Sequence, residues 1–131
     1  MSRRKMQMKK TEKIKIPLLL FVICLAVCWI FVLQYGIFGS DLDWVNQHSV
    51  LPDYFRLRFY DTGQLFPDIT WNLGAGQNIY NFSYYGLFNP IIWISYLLPF
   101  VPMSLYIQIT SILSYGVSVV IFYCWLKKKW D

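Results

Sequence analysis

Between Cys28 and Cys124 the chain has no cysteine, so no disulfide braces its middle, and the three thiols do not reveal a redox compartment. Basic side chains are nearly as scarce there: between Lys15 and Lys127 only Arg56 and Arg58 occur. No basic stripe can cross a folded face, which excludes nucleic acid as a partner. Histidine appears once, as His48. There is no internal repeat and no low-complexity tract. Gly74-x-Gly76 lacks the preceding strand and the third glycine of a dinucleotide-binding turn, and a tight turn is its simpler reading.

What the chain has in excess is apolar surface. At 131 residues it is 56% hydrophobic and 20% aromatic, more than a small water-soluble domain can hide, so lipid is the expected solvent. The charges are segregated. Residues 1–15 hold seven Lys or Arg against Glu12 alone, and Lys127, Lys128 and Lys129 lie near the other end. The net charge of +5 thus belongs to the two ends and suits anionic lipid headgroups.

Residues 16–38 are broken only by Gln34 and Gly36, long enough at about 1.5 Å per residue to cross a hydrocarbon core. A cleaved signal peptide is the rival reading of a basic start followed by an apolar core, but this core exceeds the usual ~7–15 residues and no small-x-small site follows it. Cys24 and Cys28, one helical turn apart, read as packing residues. A second span covers residues 103–126 and is stopped by the lysines. Its Ser111, Ser114, Gly116 and Ser118 would let another helix of the same or another chain approach closely.

The segment 39–102 carries Asp41, Asp43, Asp53, Arg56, Arg58, Asp61 and Asp68. Each would cost about 2.5–3.5 kcal/mol at mid-membrane, so it belongs outside the hydrocarbon. The positive-inside rule then places residues 1–15 and 127–131 in the cytoplasm and residues 39–102 outside. The expected fold is an all-α membrane protein of two transmembrane helices joined by a long extracytoplasmic loop with short amphipathic, interfacial helices. Ser40 or Asp41 is the expected N-cap of a helix through Asn46 or Gln47. Pro52 is expected to open a second one that Gly63 ends. Asn89 and Pro90 open a third through Leu98, with Trp93 and Tyr96 at headgroup level.

Several loop residues have two readings. On a helix, Asp43 and Gln47 share one face and Asp41, Trp44 and His48 another. One carboxylate can then serve a reaction, or both simply cap a helix in water. His48 is either a proton shuttle or an ordinary surface residue. Arg56 and Arg58 either attract lipid phosphate or are solvated. Tyr80, Phe82, Tyr84, Tyr85 and Phe88 either stack on a sugar or rest on headgroups. Asn81-Phe-Ser83 matches a glycosylation sequon that is common by chance.

Taken in order, the motifs form a set: a basic start and span, Asp43-x-x-x-Gln47, Trp71-Asn72-Leu-Gly-Ala-Gly76, and Tyr84-Tyr85 with Asn89-Pro90 before a second span. This set, over roughly residues 17–126, resembles the start of the YfhO family of bacterial membrane proteins, similar to multi-spanning GT-C glycosyltransferases. The resemblance implies transfer of a sugar from a polyprenyl-phosphate carrier to a cell-envelope polymer such as teichoic acid, at the outer face of a bacterial cell membrane. It puts Asp43 at the reaction centre, with Asp41 as second candidate, and Gln47, His48, Arg56, Trp71, Asn72, Tyr84 and Tyr85 around the substrate. A metal is not indicated, although a carboxylate there can also hold a divalent ion. Family members have many more spans, so these 131 residues alone are expected to be inactive, as the N-terminal part of a longer enzyme. The alternative is a non-enzymatic two-span protein that binds a partner through its external loop.

Overall fold

The computed structural model describes residues 3–40 and 42–130, and side chains from Ile14 onward. It divides into two compact units, residues 1–38 with 111–131, and residues 39–110.

The first unit contains α1 (Arg3–Tyr35) and most of α4 (Met103–Trp130). Helix already begins at Arg3, within the basic segment, and continues through Pro17. It stops at Tyr35 rather than Phe38 because Gly36 turns left-handed, at φ +82°, a conformation that side chains with a Cβ resist. Its N–H returns to the Val32 carbonyl at 2.7 Å. Ile14–Tyr35 and Met103–Trp130 are long and apolar enough to cross a membrane. Few of their side chains are buried within the protein. The two helices meet at Gly116, where an added Cβ would lie 2.6 Å from the Phe21 ring and 3.4 Å from Leu25. One member of the small-residue row thus serves a neighbour in the same chain.

The second unit is more than a connecting loop. Leu51, Phe55, Ile79, Leu87, Ile92, Tyr96, Met103 and Tyr106 form a continuous buried core. It is assembled from α2 (Val50–Thr62), a 3-10 helix (Ile79–Tyr85), α3 (Pro90–Ser95) and the first turns of α4. The expectation of helices alone needs one amendment. An antiparallel hairpin pairs β1 (Ile69–Thr70) with β2 (Gln77–Asn78), in the register Ile69 opposite Asn78 and Thr70 opposite Gln77. Thr70 is fully buried and its hydroxyl donates to the Gln77 carbonyl at 3.0 Å, which closes the turn that Trp71–Gly76 forms.

Long polar side chains tie the pieces together. The Arg56 guanidinium pairs with Asp53 at 2.6 Å and donates to the carbonyls of Val101 (2.9 Å) and Leu98 (3.3 Å). Those carbonyls lie where α3 has ended: Leu98's also accepts the Val101 N–H at 3.1 Å, and for Val101's the arginine replaces a helical partner. Tyr60 donates to the Tyr96 carbonyl at 2.6 Å, and Trp93 Nε1 to the Leu87 carbonyl at 2.7 Å. Both side chains pack on the core of this unit: Trp93 is half-buried, and Tyr96 is buried with its ring on Phe59. Asn89 caps α3 by accepting the Ile91 N–H at 3.0 Å, with Pro90 at the first helical position. Regular α-helix ends at Ser95, short of Leu98, and tighter turns carry the chain through Leu98.

Candidate functional site

Two segments far apart in sequence build the site. The first starts at Ser40, whose hydroxyl accepts the Asp43 N–H at 3.1 Å and whose carbonyl accepts the Trp44 N–H at 3.1 Å. Ser40 is thus the cap for the turn that follows. Asp41 lies outside the described residues.

The turn is not the regular helix that Asp43 and Gln47 suggest. Trp44–His48 is π-helical, and the Ser49 N–H reaches five residues back to the Trp44 carbonyl at 3.1 Å. Pro52 supplies a reason. It has no N–H to offer the His48 carbonyl four residues earlier, and its ring crowds that carbonyl. The chain inserts one extra residue into the turn and then continues directly as α2, without the break expected at Pro52. α2 ends at Gly63, whose N–H returns to the Phe59 carbonyl at 2.8 Å. Such π turns widen the helix locally and are frequent at functional sites. Here the wider turn lets the neighbours Gln47 and His48 reach the same partner.

That partner is Tyr85, at the end of the 3-10 helix. Asn78 caps this helix by accepting the Tyr80 N–H at 2.9 Å, and Gly86 ends it at φ +112°. A Cβ on Gly86 would lie 3.0 Å from Ile92, so glycine serves both the backbone angle and the close approach. Tyr85 donates a short hydrogen bond to Gln47 Oε1. Its ring lies 5.5 Å from His48 and 4.2 Å from Tyr84, and His48 in turn lies 6.5 Å from Trp44. The hydrogen bond with Tyr84, burial, and repulsion from Asp43 and from an ionised Tyr84 all raise the Tyr85 pKa.

An open groove of about 300 Å³ runs along this cluster, lined by Trp44, His48, Pro52, Tyr84, Tyr85 and Asn89 among others. Among the described residues, no lysine or arginine lines it. Aromatic faces with a few hydroxyl, amide and imidazole groups suit a neutral, hydroxyl-rich ring better than a bare phosphate.

The remaining candidates are placed elsewhere. Arg56 is buried and engaged as described above, beside a second groove of about 380 Å³ that Asp53, Tyr54 and Pro102 also line. Trp71 and Asn72 stand exposed in the hairpin turn, where Trp71 packs over Gly76. Among the described residues, no three His, Cys, Asp or Glu side chains come together as a set of metal ligands. Trp44 and Asn89 line the groove without having been singled out as site residues. The fourfold spacing of Trp44 and His48 was the available signal for the first, while the cap role of Asn89 concealed the second. No family model, no curated protein and no solved structure matches the chain.

Proposed function

We propose that this chain is the N-terminal part of a YfhO-like membrane glycosyltransferase, moving a sugar from a polyprenyl-phosphate carrier to a cell-envelope polymer such as teichoic acid. One observation carries the reading. Tyr85, from the motif Tyr84-Tyr85-x-x-x-Asn89-Pro90, donates to Gln47 of Asp43-x-x-x-Gln47, beside an aromatic groove that Tyr84, Tyr85 and Asn89 line. In this reading α1 and α4 span a bacterial cell membrane with their basic flanks in the cytoplasm, and residues 39–102 face the exterior.

The reaction is an inverting displacement. An Asp43 carboxylate oxygen takes the proton of the acceptor hydroxyl as that oxygen attacks the anomeric carbon. The bond from that carbon to the carrier phosphate breaks, and polyprenyl phosphate leaves with the electron pair. Gln47, oriented by Tyr85, positions a sugar hydroxyl, while Tyr84 and Trp44 offer faces to the ring. Further transmembrane helices complete the enclosure of the lipid carrier.

The test is Asp43→Asn in the full-length protein, assayed by transfer of labelled sugar from a polyprenyl-phosphate donor in isolated membranes. Transfer is expected to fall at least about 100-fold, the lower range for a positioned general base, with membrane insertion unchanged. Retained transfer overturns the assignment.

A second reading, a non-enzymatic protein that binds a partner through its external segment, is favoured by the exposed Trp71, held on a closed hairpin. A photo-reactive residue at position 71 that captures one defined protein in intact cells, together with transfer-competent Asp43→Asn, would favour it instead.

A further inference from the structure

From Ile69 to Leu126 the chain contains no Asp, Glu, Lys, Arg or His. All charge in the second unit is therefore confined to its first half, up to Asp68. The uncharged half has a surface of its own. α3 buries Ile92 and Ser95 and is followed by buried Tyr96, whereas Ile91 is 41% exposed, Ile94 54%, Leu97 78% and Phe100 79%. These four follow one another at intervals of three and place large apolar side chains in solvent contact.

Two constraints tie this row to α4. Tyr106 donates from its hydroxyl to the Ile91 carbonyl at 2.5 Å, which holds the start of α3 against the second turn of α4. Phe100 is only three residues from Met103, a reach of at most about 11 Å for an extended chain. If α4 crosses a membrane, about 20 residues fill the hydrocarbon. Counted back from Lys127, these end near Ile107, the residue after Tyr106. The Ile91 backbone and the Phe100 side chain then lie at the depth where headgroups meet acyl chains.

We propose that Ile91, Ile94, Leu97 and Phe100 form a lipid-docking face that beds the second unit into the leaflet in which α4 begins. Lipid is the occupant because the row is apolar, because the half of the unit that bears it has no charge to desolvate, and because its links to α4 leave it at interfacial depth. The charged half, with the exposed Asp43 and His48, is left to face water. The proposal rests on α4 being a membrane span and does not depend on the catalytic reading.

The test uses the full chain with Cys24, Cys28 and Cys124 replaced by serine, reconstituted in phosphatidylcholine and phosphatidylglycerol vesicles. Nitroxides are attached singly at Leu97→Cys, Phe100→Cys, Val119→Cys and Asp61→Cys, and their collisions with oxygen and with a water-soluble nickel chelate are measured. Labels at 97 and 100 are expected to lose nickel accessibility relative to 61 while keeping that of oxygen, at a depth shallower than 119. Nickel access at 97 and 100 equal to that at 61, with 119 buried in lipid, overturns the docking face alone. Nickel access at 119 as well overturns the span and the docking face together. Protection of 97 and 100 from both reagents identifies a protein cover, a second copy or another helix, and also overturns lipid as the occupant.

Discussion

The Tyr85 hydroxyl donates to Gln47 Oε1 across 38 residues of sequence, and this bond joins the π turn to the end of the 3-10 helix. Either segment alone is a short, exposed turn. Joined, they form the wall of the groove.

Tyr85→Phe removes that tie and should cost about 1 kcal/mol, the usual net value of one hydrogen bond. A double-mutant cycle with Gln47→Ala, read from thermal unfolding in detergent micelles, should return a coupling of about 0.5–1.5 kcal/mol. Strictly additive losses would show that the two side chains do not interact in solution.

Arg56 should matter far more than Arg58. Arg56→Ala strands the Val101 carbonyl, takes one of two donors from that of Leu98 and leaves Asp53 unpaired. A loss of about 2–3 kcal/mol is expected, below that of a fully buried pair because Asp53 is partly solvated. Arg58 meets the exposed Asp61 only at 3.9 Å, so Arg58→Ala should cost at most about 1 kcal/mol. Equal losses in the same unfolding assay would contradict the bracing role.

Gly116→Val should drive a methyl into the Phe21 ring, whose nearest atom is 2.6 Å from an added Cβ. Overpacking of this kind costs about 1–3 kcal/mol. Phe21→Ala should rescue much of the loss, since it vacates the space. Failure of that rescue would mean that the helices do not meet at Gly116.

Tyr96 should make the fold sensitive to alkali. Burial pushes its phenol up to about 12, against an ordinary value of 10.0 and against the pull of the Arg56 guanidinium. The folded state thus holds this proton more tightly than the unfolded state does. The corresponding stability is complete below pH 10, declines as pH rises toward 12, and is gone above that. The Tyr96 hydroxyl has no hydrogen-bond partner among the described residues, so Tyr96→Phe should leave stability near pH 7 unchanged or slightly improved. Its unfolding midpoint should fall less than that of the wild type between pH 10 and pH 12. Parallel curves would remove Tyr96 as the source.

Much was legible before any tertiary structure, because it depends on composition and local rules. An apolar run long enough for a membrane, the cap at Ser40, the stop at Gly63 and the Asn89-Pro90 start of α3 each follow from interactions within a few residues. The extra residue in the π turn was not legible, although Pro52 was plainly there. A proline forbids a regular bond without saying how the chain will avoid it. Arg56 was misjudged for a related reason. Its charge invites water or phosphate until Leu98 and Val101, more than forty residues on, present carbonyls within its reach. The sequence by itself therefore determined where apolar helices run, where charge is absent and which residues begin and end the local elements. Only the tertiary structure decided that residues 39–110 fold around their own core, that Trp93 and Tyr96 pack on it, and that Gln47, His48, Tyr84 and Tyr85 meet. Those outcomes depend on contacts between distant segments, which compete for the same side chains and which no local pattern can rank.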